Sequence, residues 1–140
     1  MRVLGLDVGE RRIGVALSDP LGLTAQRLTI IHRRALNEDI EAVRTLAVEH
    51  DVETVVLGLP LTMRGERGVQ AQKVMAFAQR LRARLAVPVE FVDERLTTVQ
   101  GERALLATDT SRRKRKQMID EVAAQLILQQ FLETRHRSEP

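Results

Sequence analysis

Leu4-Gly5-Leu6-Asp7-Val8-Gly9 is followed, after Glu10 and Arg11, by Arg12-Ile13-Gly14-Val15-Ala16-Leu17-Ser18. The first stretch is apolar and rich in strand formers, with one acid inside it. The second alternates, with Ile13, Val15 and Leu17 on one face and Gly14, Ala16 and Ser18 on the other. Gly9-Glu10 can form a two-residue Gly-X turn, so the pair reads as a β-hairpin. Registered on that turn, Val8 faces Arg11, Asp7 faces Arg12, Leu6 faces Ile13 and Gly5 faces Gly14. Asp7 then sits among Gly5, Gly14 and Ala16 on one face of a sheet. Small neighbours leave room above a carboxylate near a strand end, which suits a cation and its waters. The plainer reading is an ion pair between Asp7 and Arg12.

A third strand is expected over Gln26 to His32, after a turn marked by Pro20 and Gly22. Leu36, Ile40, Val43 and Ala47 recur at helical spacing with charges between them, which predicts an amphipathic helix. Val52 to Leu57 is a short apolar run that reads as a buried parallel strand. It ends at Gly58-Leu59-Pro60, and a Gly-rich loop follows through Gly68. Val74, Phe77, Ala78, Leu81 and Leu85 mark a second helix, whose outer face is basic through Lys73, Arg80, Arg82 and Arg84. Val89 to Val92 is a further short strand. Thr97 or Thr98 can cap a helix reaching about Ala107. Arg112 to Lys116 reads as a loop, and a last helix carries Ile119, Val122, Ala123, Leu126, Ile127 and Phe131. Residues 134–140 read as a frayed tail. The order predicts one mixed five-stranded sheet, with three antiparallel strands and then βαβ units, flanked by helices. No repeat or linker interrupts it, so residues 1–135 are expected to form a single domain and 136–140 a flexible tail.

The composition narrows the chemistry. The chain has 140 residues and 44% apolar content, enough for one aliphatic core. It has three Phe and no Trp or Tyr, which limits binding by stacking bases on aromatic rings. The absence of cysteine excludes disulfides, thiolate zinc sites and cysteine nucleophiles. No segment is apolar and long enough to span a bilayer, and a cytoplasmic protein without a membrane partner is expected. The net charge of +3 decides little, but Arg112-Arg113-Lys114-Arg115-Lys116 places five cations in a row. Such a block attracts a polyanion when it lies beside a binding surface.

Acids supply the candidate site. Asp93 and Glu94 lie where the fifth strand leaves the sheet. Adjacent residues in an extended segment point to opposite faces, so one of the two is expected to be a ligand, and the pattern does not choose between them. Asp120 lies in the first turn of the last helix, ahead of Ala123 and Ala124, small residues that let a helix approach the sheet. The working set is Asp7, Glu94 and Asp120, with Asp93 as the alternate acid. Carboxylates from three separate elements form a hard oxygen site suited to Mg²⁺ or Mn²⁺. Two such ions about 4 Å apart can activate a water and stabilise the leaving oxygen of a phosphodiester. His32, His50 and His136 are scattered, and no nucleophilic triad is visible.

These residues together resemble the YqgF family, also called RuvX, of pre-16S rRNA nucleases and Holliday-junction-resolvase-like proteins. The matching pieces are Leu4 to Gly9, Arg12 to Asp19, Val56 to Leu61, Asp93-Glu94-Arg95-Leu96-Thr97-Thr98, and Asp120 with Ala123-Ala124 and Ile127-Leu128. The resemblance implies an RNase H-like fold and metal-dependent phosphodiester cleavage. It implies catalytic acids at Asp7, at the Asp93-Glu94 pair and at Asp120, and a role in trimming the 5′ end of precursor 16S rRNA. The related junction resolvases carry a glutamate at the end of the fourth strand. Here that position reads Gly58-Leu59-Pro60, so the missing acid must come from Glu94 or Asp93.

Nucleic-acid contacts are expected from Arg11, Arg12 and Arg95 beside the acids, from Thr97 and Thr98 at a helix start, and from Arg112, Arg113, Lys114, Arg115 and Lys116. The Leu61 to Gly68 loop is expected to be mobile enough to close on a strand. RNA stands ahead of branched DNA as substrate. Competing readings are a junction resolvase or DNA nuclease, a non-catalytic module docking on pre-ribosomal RNA, and nucleotide phosphotransfer through Asp7-Val8-Gly9. The last needs two such domains around a cleft. A resolvase is expected to be a stable dimer, whereas a monomer or homodimer fits the pattern of a nuclease.

Overall fold

A computed structural model describes residues 2–96 and 112–138, with side chains described over 2–96 and 122–136. The expected hairpin is present as β1 (Arg2–Val8) and β2 (Arg12–Ser18), followed by β3 (Ala25–His32). Helix α1 (Leu36–Glu49) leads into β4 (Val52–Leu59), and α2 (Val69–Arg84) into β5 (Val89–Asp93). A 3₁₀ turn over Glu94–Leu96 leaves the sheet, and α3 spans Arg112–Ser138. The strands form one five-stranded sheet in the order β3-β2-β1-β4-β5. β1, β2 and β3 pair antiparallel, and β4 and β5 join in parallel, as expected.

The sheet separates two apolar layers. Leu4, Leu6, Ile13, Val15, Val55 and Leu57 pack against Ile40 and Val43 of α1 and Val74, Phe77 and Leu81 of α2. On the other face, Val3, Ala16, Val56 and Val92 pack against Ala123, Ala124, Ile127, Leu128 and Leu132 of α3. Each fully buried Val, Leu or Ile contributes about 1.5–3 kcal/mol through apolar area removed from water.

The hairpin register differs from the sequence expectation. Gly9 N–H donates to Arg12 O at 2.9 Å, and the reversal takes up Gly9 to Arg12 instead of two residues. Val8 therefore faces Ile13, Asp7 faces Gly14 and Gly5 faces Ala16. A slide of two residues preserves side-chain parity, so Asp7 keeps Gly5, Gly14 and Ala16 on its own face. Arg12 instead begins β2 and pairs in the sheet with His32 of β3.

Two further expectations change. Arg112 to Lys116, read as a loop, lies inside α3. Arg and Lys are good helix formers, and a helix continuing into the apolar stripe from Ile119 can extend through them. At its other end α3 runs through Ser138, past the point where fraying was expected. There, His136 Nε2 lies 2.8 Å from Gly22 O, and Arg135 pairs with Glu53 at 3.0 Å. The basic face of α2 is partly engaged: Arg82 donates to Val89 O at 2.7 Å and lies over the Phe91 ring, while Arg84 pairs with Glu41. The helix expected after Thr97 or Thr98 lies outside the described residues.

Candidate active site

At the C-terminal ends of β1 and β4, a cavity of about 200 Å³ is lined by Asp7, Val8, Gly9, Gly58, Glu94 and the start of α2 at Gln70 and Val74. Asp7 is 5% exposed and Glu94 2%. Buried carboxylates are retained where partners or cations offset the cost of removing them from water.

Each acid reaches the cavity for a local reason. Asp7 is the last but one residue of β1 and shares a sheet face with Gly5, opposite Gly14. Glu94 opens the 3₁₀ turn, where the chain stops alternating as a strand. That turn separates the two adjacent acids. Asp93 Oδ1 accepts from Arg95 N–H at 2.9 Å, and Arg95 Nη2 lies 2.8 Å from Asp93 Oδ2. The Arg95 side chain, and then its backbone N–H, hold the Asp93 carboxyl below the usual aspartate range. Glu94 turns inward as Asp93 remains with Arg95.

Gly58 provides the space that Glu94 occupies. A Cβ at this position would meet Ile127 and would lie 2.8 Å from Glu94 Oε1. Gly5 acts similarly on the neighbouring strand, where a Cβ would lie 2.7 Å from Leu128 Cβ and 3.2 Å from Ala124 O. These two bare positions let α3 lie directly on the sheet beneath the acids.

The remaining expected residues divide. Arg11 is exposed and lines a neighbouring cleft, and Arg12 is half-buried at the start of β2. Arg95, expected to face phosphate, is engaged by Asp93, and its guanidinium packs over Gly65. The loop carrying Gly65 is internally bonded: Thr62 N–H donates to Glu66 O, Gly65 N–H to Thr62 O, and Glu66 N–H to Thr62 Oγ1. Gly65 has φ +81, a left-handed conformation that favours glycine. Thr97 and Thr98 lie outside the described residues, and so do the side chains of Asp120 and Arg112 to Lys116. Gln70 was not anticipated from sequence. Its only signal there is its position just after Gly68, where the Gly-rich loop gives way to α2.

Two hard oxygen donors on a cavity without side chains at positions 9 and 58 fit a divalent cation of the Mg²⁺ class. Among the described residues no group of three or more His, Asp or Glu side chains forms a metal cluster. The described residues of the site therefore contribute two carboxylates.

The fold is that of the RuvC-like resolvases of the RNase H class. T. thermophilus RuvC in complex with a Holliday junction substrate matches with a TM-score of 0.61 at 14% identity, covering 99% of this chain and 97% of that one. The fowlpox virus Holliday junction resolvase matches with a TM-score of 0.53 at 12% identity, covering 96% and 99%. At the sequence level, the RuvX family profile, described as Holliday junction resolvase, matches residues 1–134. A protein of Moorella thermoacetica is 56% identical over 133 residues, 95% of each chain. One of Clostridium novyi is 49% identical over 134 residues, 96% of this chain and 99% of that one. Both carry the name "Putative pre-16S rRNA nuclease". This chain belongs to the RuvX family.

Proposed function

We propose that this protein is a divalent-metal-dependent nuclease that hydrolyses phosphodiester bonds in RNA, acting on the 5′ end of precursor 16S rRNA in the cytoplasm. The observation that carries this reading is the convergence of two buried carboxylates, Asp7 and Glu94, on one cavity at the strand ends. The names of the two bacterial relatives support the substrate.

Asp7 and Glu94, with Asp120, would hold Mg²⁺ or Mn²⁺. When bound, the metal lowers the pKa of a water and neutralises charge on the phosphate. Backbone geometry supports Asp120 as the third acid. The C-terminal end of α3 is tied to Gly22 and Glu53, at the end of the sheet where β1 and β4 begin. Going back along the helix therefore leads toward Asp7. Gly5 meets Ala124, and position 120 lies one turn earlier, about 6 Å along the axis. Asp7 lies a similar distance beyond Gly5 along β1. Asp93 is assigned a supporting role, anchoring Arg95 beneath the Thr62 to Glu66 loop. In the same reading the basic start of α3, Arg112 to Lys116, lies beyond the acids and contacts the nucleic-acid backbone.

The family description and the RuvC likeness favour a second reading, cleavage of branched DNA. One assay separates the two. Labelled precursor-16S 5′-leader RNA, duplex DNA and a four-way junction are incubated with the protein and Mg²⁺ or Mn²⁺. We expect RNA cleavage, reduced at least about 100-fold by Asp7→Asn, Glu94→Gln or Asp120→Asn with RNA binding retained. Asp93→Asn should keep cleavage within a few-fold of the parent. A large loss in Asp93→Asn with near-parent cleavage in Glu94→Gln would reverse the assignment of the two acids. Junction cleavage without RNA cleavage would make the protein a resolvase.

A further inference from the structure

Beside the acid cavity lies a second, wider cleft of about 690 Å³, bounded by the β1–β2 turn, the end of β3 and the outer edge of α2. Arg11, His32, Arg33, Arg34 and Lys73 face it, together with Glu10 and Asp39. The two acids are already matched. Asp39 accepts from Arg33 Nε and from Arg34 N–H, both at 3.0 Å. Glu10 accepts from Lys73 and from Gln70, both at 3.2 Å. Arg11 and Arg34 are exposed; Arg11 acts on Glu10 through its charge, and neither arginine forms a side-chain ion pair with a carboxylate among the described residues. The cleft therefore presents net positive charge to solvent.

Its position relative to the acids is set by shared walls. Gln70, which bonds Glu10, also lines the cavity of Asp7 and Glu94. The carbonyl of Gly9, another cavity residue, accepts from Arg33 Nη1 at 2.9 Å. A chain leaving the acid cavity across the β1–β2 turn would enter this cleft directly. Tyr and Trp are absent from the protein, and among the described residues the only ring lining the cleft is that of His32. Such a surface can read backbone charge but has little with which to stack bases.

We propose that this cleft is the track for the phosphodiester backbone of a single-stranded RNA segment flanking the cut, with Arg11 and Arg34 as its principal phosphate contacts. The inference rests on the nuclease reading of the neighbouring cavity. It assigns recognition to charge alone, so binding should depend steeply on salt and little on base sequence.

The test is fluorescence anisotropy with the full-length protein and a labelled single-stranded RNA in EDTA, titrated over a range of salt. The double variant Arg11→Ala/Arg34→Ala is compared with Arg44→Ala/Arg80→Ala, which removes the same charge from α1 and α2 outside the cleft. We expect the first to bind at least about tenfold more weakly, with a log–log salt slope shallower by about 1.4. The second should bind as the parent does. In cleavage assays the cleft variant should raise KM with kcat within about twofold. Unchanged binding in the cleft variant, or equal loss in both variants, would overturn the proposal even if the parent cuts RNA. Loss of binding confined to the cleft variant would uphold it even if the parent cuts nothing, in which case the nuclease reading alone would fail. Tighter binding of duplex DNA, lost in the same variant, would overturn the assignment to RNA. Unchanged melting temperatures show that neither variant acts through folding.

Discussion

Position 58 shows how much of the site depends on a missing side chain. Gly58→Ala would place a methyl group 2.8 Å from Glu94 Oε1 and against Ile127, so one of the two must move. Overpacking of this kind costs about 1–3 kcal/mol. We expect a melting temperature lower by roughly 3–10 °C. We also expect a loss of cleavage larger than that destabilisation explains, because the displaced group includes the Glu94 carboxylate. Parent-like melting and activity would show that the space is not needed. Asp7 was legible because its surroundings depend on strand parity, which survives a register error of two residues. The choice between Asp93 and Glu94 was not legible. It turns on where the strand ends and the 3₁₀ turn begins, and a difference of one residue there exchanges the faces.

Among the elements, α1 shows how a helix start can be held from inside. Its N-cap, Ala35, offers no side-chain acceptor, and Asp39 instead reaches back to Arg34 N–H from the first turn. The arrangement resembles a capping box with its reciprocal half missing. Asp39 is 3% exposed and also pairs with Arg33, which lies over the Phe77 ring and grips Gly9 O. Removing the carboxylate would leave a half-buried guanidinium undercompensated. We expect Asp39→Ala to lower unfolding free energy by about 2–4 kcal/mol in urea titrations. Asp39→Asn, which keeps a backbone acceptor, should cost less. Equal effects would mean that the charge facing Arg33, and not the acceptor for Arg34 N–H, carries the whole contribution. The helix itself was plain from Leu36, Ile40, Val43 and Ala47, whereas its cap was hidden because Ala35 carries no capping signal. The start of α3 was missed for the opposite reason: before Ile119 its sequence has charge but no apolar stripe to mark a helix.

At the scale of the molecule, several surface carboxylates among the described residues are held by cations or N–H groups, and these set their response to acid. Lys73 and then Gln70 hold Glu10 below the ordinary glutamate value of 4.5, and Arg84 does the same for Glu41. The Thr24 N–H lowers Asp19, and Arg95 lowers Asp93, both below 3.8. Each of these groups binds protons more weakly in the folded state than in the unfolded one. Their contribution is therefore fully present above their unfolded values and is lost as the pH falls through their folded ones. Thermal melts should be nearly flat from pH 7 to about pH 5 and should fall progressively below about pH 4.5. High salt should soften the decline, since these pairs lie at the surface and are screened. A melting temperature that rises on acidification would contradict the pairing. The two-layer architecture was readable from apolar periodicity. The pairing was not, because Glu10 with Lys73 and Glu41 with Arg84 are distant in sequence and meet only after the helices dock.

The space above Gly58, filled by Glu94 and Ile127, also makes two anion layouts mutually exclusive. A glutamate grafted at the end of that strand would compete for the volume that Ile127 and the Glu94 carboxylate already fill. Retaining both would crowd like charges, and a chain that gave up the present one first would pass through a stage with Asp7 as the one buried carboxylate left among the described residues lining the cavity. Converting one layout into the other therefore demands a coordinated exchange at 58 and 94. Steric incompatibility, more than chemistry, would keep descendants of the two arrangements apart.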